Sequence, residues 1–184
     1  MKKSLLWLVI LIIFSGCGYD CSDPNPESFN PSERYINIER THKFRIDTSE
    51  LTEGQVNDIL DAFDKYNSYF PGLFEYVPNG ESDITKPDYV ASVIFLTEDL
   101  DAPTLARANI FIYEDYISNF VIKVHPRAFS YNFYLVMIHE IGHVLGFRHY
   151  VFDSSIMEPC ADCMNPNDID SFLGSALDFL VDFT

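Results

Sequence analysis

The chain has 184 residues, enough for one domain with a substantial core and too few for two. Its formal net charge of −16 argues against nucleic acid, which wants a basic face, and disfavours adsorption to anionic membrane surfaces. Apolar and aromatic content is that of a globular protein, with no internal repeat and no long low-complexity tract.

Residues 1–16 read as a targeting segment. Lys2-Lys3 form a positive n-region, Leu5 to Phe14 an apolar h-region, and Ser15-Gly16 small residues ahead of Cys17. So short an apolar run cannot span a bilayer, which needs about 20 residues. Phe14-Ser15-Gly16-Cys17 resembles a bacterial lipobox. That resemblance implies that Cys17 is lipidated and anchors an exported protein to the outer membrane or cell surface. Cleavage nearby without lipidation would leave a periplasmic or secreted protein. Residues 17–33, rich in Pro, Asn, Ser and acidic side chains, read as a flexible tether, and residues 34–184 as the folded domain.

Within that domain Tyr35–Ile38 and Lys43–Ile46 alternate apolar and polar residues, as strands do. Thr52 and Gln55 form a capping-box signature. Val56, Ile59, Leu60, Phe63 and Phe70 then mark one helical face until Pro71-Gly72 stops it. Short apolar runs at Leu73–Val77, Tyr89–Leu96, Asn109–Tyr113 and Phe120–Val124, bounded by Pro, Gly, Asn or Asp, predict four further strands. From Asn132 to Leu145 the chain is apolar nearly all round, which predicts a core helix. Asp168 is the predicted cap of a last helix, with Ile169, Phe172, Leu173, Ala176, Leu177, Leu180 and Val181 as its apolar stripe.

The predicted core helix carries the chemistry, in the run His139-Glu140-Ile141-Gly142-His143-Val144-Leu145-Gly146-Phe147-Arg148-His149. Residues four apart on a helix share a face with Cβ atoms roughly 6 Å apart, so His139 and His143 can grip one ion at the ~2.0–2.1 Å of zinc–nitrogen bonds. Gly146 can adopt the left-handed conformation that ends a helix, after which His149 swings back as a third ligand. Three ligands leave a fourth position for water, which is the catalytic rather than the structural pattern. Glu140 sits beside the ion, uncommitted as a ligand. His42 and His125 fall outside this motif and receive no role.

H-E-x-x-H-x-x-G-x-x-H followed by Ser154-Ser155-Ile156-Met157-Glu158-Pro159 resembles the metzincin signature with its Met-turn. The short gap from His149 to Met157, and Met-x-Pro, look matrixin-like. The resemblance implies a metzincin-like zincin fold of the α/β (α+β) class. In it a twisted, mostly parallel sheet with an antiparallel edge strand accompanies an N-terminal helix, the zinc helix and a C-terminal helix. It implies Met157 beneath the three histidines and Asn109–Tyr113 as the edge strand that binds extended peptide. The implied activity is zinc-dependent endopeptidase action, with Glu140 as general base and one catalytic Zn2+. Tyr150 stands where matrixins carry Ser, and Glu158 where they carry an aromatic residue. The chain has no match to the matrixin structural zinc and calcium loops, which leaves structural Ca2+ open.

Rival readings are a non-catalytic surface binding lipoprotein with a structural zinc, and a zinc amidohydrolase acting on cell-wall peptides. The expected partners are a peptide or protein substrate and, through the lipid, a membrane; the protein is expected to be monomeric. Cys160 and Cys163 form a C-x-x-C just past the Met-turn, for which a mutual disulfide is the favoured reading. Cys21 bridged to either one is the alternative.

Overall fold

The computed structural model describes residues 10–13, 35–78, 80, 85, 90–113, 116–149 and 155–181. A six-stranded sheet and three helices make up the fold. The strands are β1 (Ile10–Ile13), β2 (His42–Ile46), β3 (Phe74–Tyr76), β4 (Ser92–Leu96), β5 (Ala106–Tyr113) and β6 (Tyr116–Val124), in the order β1-β5-β6-β4-β2-β3. The β6-β4-β2-β3 portion is parallel, and β5 runs antiparallel beside β6. This is the mixed α/β, mostly parallel arrangement that the motif resemblance implied.

Alternation decides which face is core. On β2, Phe44 and Ile46 are buried while Lys43 is exposed and Arg45 half-buried. In register with them, Ile94 on β4, Ile122 on β6 and Ala108 and Ile110 on β5 point the same way and are buried. Against this face pack α1 (Glu53–Asn67) and α2 (Phe133–Leu145), and α3 (Ile169–Val181) contributes to the same apolar core. The predicted capping box opens α1: Gln55 N–H donates to Thr52 Oγ1 at 3.3 Å, and Thr52 N–H donates to Gln55 Oε1 at 2.8 Å. Phe44 and Phe63 stack with centroids 4.0 Å apart where α1 meets the sheet. Asn132 caps α2 through its side chain at Leu135 N–H. Between β4 and β5, the Arg127 guanidinium donates to the carbonyls of Leu100 and Thr104 at 3.1 and 3.2 Å and pins that loop.

Three expectations change. Tyr35–Ile38 is not a strand: Ile36 makes one isolated bridge to Ile117, and its N–H donates to the carbonyl of Leu145 at 3.1 Å. The chain then turns at Asn37–Arg40, so the run cannot continue in a ladder. Asp168 does not cap α3. It closes a 3-10 turn, Pro166–Asp168, capped by Asn165, and its carboxylate instead accepts from Ser155 Oγ at 2.6 Å. The segment Ile10–Ile13, inside the expected leader, lies antiparallel on the outer edge of β5, from Ile10 opposite Ile112 to Ile13 opposite Asn109. β-branched residues favour strands, and an edge presents a row of N–H and C=O groups ready to pair. Cys17, Cys21, the remaining tether and Tyr150 lie outside the described residues.

Candidate metal centre

His139 and His143 stand one turn apart on α2, and both side chains are buried. The helix ends where the glycine allows it. Gly146 has φ 104°, its N–H donates to the carbonyl of His143, and the Phe147 N–H reaches back to the carbonyl of Gly142. That pair of bonds is the Schellman closure, which satisfies the last carbonyls with one left-handed residue. The chain leaves the helix reversed, and His149 returns to the other two. Ring centroids are 4.6 Å apart for His139 and His143, 5.2 Å for His139 and His149, and 4.9 Å for His143 and His149. The three side chains offer ligand atoms that all lie within 4.8 Å of one another.

Backbone carbonyls set the tautomers. His139 Nδ1 lies 2.7 Å from the carbonyl of Ile156, and His143 Nδ1 lies 2.7 Å from that of Phe147. A carbonyl only accepts, so each Nδ1 carries the proton and each Nε2 keeps its lone pair. Outer partners of this kind orient metal-binding imidazoles. His139 Nε2 is buried and has no hydrogen-bond partner among the described residues, a costly arrangement for a polar atom unless a ligand takes the lone pair. Burial first, then the neighbouring His149, pushes the His139 pKa down from 6.5 to about 3, against a smaller upward pull from the Ile156 carbonyl. His143 is pushed well down as well, by burial and then by His139 and His149. Neutral imidazoles are the form that ligates. Three converging imidazoles fit a zinc ion with one position left open.

The Met-turn closes the floor. Ser155–Met157 forms a single 3-10 turn in which Met157 is fully buried. Its Sδ lies against Gly142, so close that a Cβ built there would stand 2.5 Å from the sulfur and 3.1 Å from Cε. The turn is held from behind, since Ser155 Oγ accepts from Asn165 N–H at 2.9 Å while donating to Asp168. Sequence reasoning missed Gly142 as a position that needs a small residue, and missed the carbonyls of Ile156 and Phe147. A glycine inside an otherwise apolar helix was the one available signal; main-chain acceptors leave none.

A family model described as matrixin matches residues 34–171. The chain belongs to the matrixin family. No curated protein matches this matrixin. Among the solved chains it matches is high choriolytic enzyme 1, a hatching enzyme zinc-protease from Oryzias latipes (medaka fish). The identity is 16% and the TM-score 0.39, over 68% of this chain and 55% of that one, so the match spans about half of that enzyme's chain.

Glu140 is fully buried on α2 beside His139. His42 and His125 stay apart from the cluster. His42 donates from Nε2 to the carbonyl of Asn37 at 2.9 Å, and His125 Nδ1 accepts from Arg127 N–H and caps the 3-10 turn Pro126–Ser130. The Cys160–Cys163 bridge is overturned. Cys160 is disulfide-bonded and Cys163 is a thiol, so they are not joined, and the partner of Cys160 lies outside the described residues. Cys160 precedes a 3-10 turn, Ala161–Cys163, and is 1% exposed. Cys163 is half-exposed, its pKa raised by what burial it has and by Glu158 and Asp162.

Proposed function

We propose that the protein is an exported zinc endopeptidase, in which His139, His143 and His149 hold the ion and Glu140 is the general base. The observation that carries this reading is the convergence of three imidazoles, two of which, His139 and His143, direct a ring proton to a backbone carbonyl and leave Nε2 for a metal. Zinc, when bound there, supplies a Lewis acid that polarises the scissile carbonyl and lowers the pKa of the attacking water toward ~7. Glu140 accepts the proton from that water and delivers it to the leaving amine. A fully buried carboxylate keeps its base character only against a strong local positive charge, so its burial and the ion belong together. No side chain forms a covalent bond to substrate.

The substrate would lie extended along β5. Support for this comes from Ile10–Ile13, which already occupies the outer edge of β5 as an antiparallel strand, the pairing that strand-addition peptides use. With the leader removed, that edge is open to an incoming chain. The disulfide at Cys160 supports export, because such bonds persist in oxidising compartments. Lipidation of Cys17 completes the proposal, and the mass of the mature N-terminal peptide checks it.

The decisive experiment incubates purified protein with a diverse peptide mixture and reads products by mass spectrometry. Internal cleavage should stop on chelation, return with zinc, and be absent in Glu140→Gln, which should still bind one equivalent of zinc. Cleavage that survives chelation or the Glu140→Gln change would remove the mechanism.

A further inference from the structure

The sheet has a second face, turned away from the zinc helix, and its composition is unlike the rest of the molecule. In a chain with 12 Lys and Arg against 28 Asp and Glu, Lys43, Arg45, Arg107 and Lys123 all project from this one face, as register and alternation require. Arg45 is in register with Val93, Val93 with Val121, and Val121 with Asn109; two residues along, Phe95 is in register with Lys123, and Lys123 with Arg107. Lys43 is satisfied by Glu75 at 3.3 Å. Arg45, Arg107 and Lys123 have no carboxylate within ion-pair distance among the described residues, although each is half-buried. Asp47, just past the end of β2, feels Arg45 only as the smallest of the influences on its pKa.

Arg107 and Lys123 are direct cross-strand partners. Like charges so placed are about 5 Å apart at Cβ and destabilise a sheet. The Nε atoms of Arg45 and Arg107 are buried and make no hydrogen bond among the described residues. Between the cations are Val93, Phe95 and Val121, all half-buried. From β5 across to β2 the sheet spans three strand spacings, roughly 14 Å. One small oxyanion cannot bridge that distance, and it would leave the apolar strip bare. A flat anionic membrane is disfavoured too, because the rest of a −16 molecule would be brought within a Debye length of it.

We propose that this face docks an acidic peptide segment of a partner protein. Carboxylates would sit over the Arg107–Lys123 pair and over Arg45, and an apolar side chain against Phe95. Because the face lies opposite α2, such a segment binds without entering the metal centre, and the inference stands whether or not the chain is a peptidase.

The test is fluorescence anisotropy with a labelled peptide of alternating Glu and Phe, against purified protein at low and at physiological salt. Binding should weaken as salt rises, and Arg107→Gln/Lys123→Gln should weaken it about tenfold or more. The same double variant should unfold at an equal or higher temperature, since it removes a like-charge pair. If it fails to fold, Arg45→Gln alone should still lower affinity severalfold. Unchanged affinity in the folded variants would overturn the proposal, as would the absence of salt-sensitive binding by the unmodified protein. Binding to phosphatidylglycerol vesicles in place of the peptide would overturn the choice of partner.

Discussion

Gly142→Ala tests the packing between the zinc helix and the Met-turn. An added Cβ would stand 2.5 Å from Met157 Sδ, 3.1 Å from Cε and 3.4 Å from Phe172 Cζ, whereas unstrained contacts begin near 3.5 Å. The sulfur has nowhere to go, because Met157 is fully buried. Overpacking of this kind costs about 1–3 kcal/mol, and the better helix propensity of alanine returns about 0.5–1 kcal/mol. Overpacking wins, with a net loss of about 1–2 kcal/mol, or roughly 2–8 °C in Tm for a chain of this size. Displacing Met157 also moves the neighbouring Ile156 carbonyl off His139 Nδ1, so zinc affinity should fall about 10–100-fold. The same change made in a Met157→Ala background meets no sulfur, and there it should be neutral or raise Tm. Thermal unfolding of the four proteins with saturating zinc, beside a competitive chelator titration, reads both effects. Equal destabilisation in the two backgrounds would refute the reasoning and shift the cause to Phe172 or the helix backbone.

For the metal-free protein the sign of the pH dependence follows from the histidines. His139 binds a proton at 6.5 when unfolded and at about 3 when folded, so the unfolded state holds more protons throughout that window and stability falls as pH drops through it. At pH 5 the loss from His139 is about 2 kcal/mol, and His143 shifts in the same direction; a Tm of chelated protein that stays level from pH 7.5 to 5 would contradict this. Alkylation under native, non-reducing conditions should label Cys163, slowly because its pKa is raised, and spare Cys160; a peptide with the two cross-linked would contradict the structure. Tyr66→Phe removes the buried hydroxyl that donates to the Ile138 carbonyl at 2.7 Å and ties α1 to the zinc helix. It should cost about 1–3 kcal/mol, read as a lower urea midpoint, with zinc stoichiometry retained.

Much of the site was legible because its parts are close in sequence. The His139–His149 run, the left-handed turn at Gly146, and the capping box of α1 depend on neighbours within a few residues, and pattern reasoning reached them; the Asn132 cap of α2 it did not. The core helix and most of the α3 stripe were equally plain, since burial all round or on one side leaves a compositional trace, although Val181, the last residue of the predicted stripe, is exposed. Tyr35–Ile38 misled because alternation alone suggests a strand, while its actual partners, Ile117 and Leu145, are distant in the chain. Asp168 misled for the same reason: its carboxylate is drawn to Ser155, which no local rule anticipates.

By itself, then, the amino-acid order determined the candidate ligand set, the helix that presents two of its members and the class of fold, because helix periodicity, capping and ligand spacing are short-range properties. Only the tertiary structure decided that Cys160 is not joined to Cys163, that Gly142 must stay small for Met157, and that carbonyls of Ile156 and Phe147 hold the ring protons of His139 and His143. It alone gathered Arg45, Arg107 and Lys123 on one face, because strand register, which local sequence does not encode, determines which side chains from separate strands become neighbours.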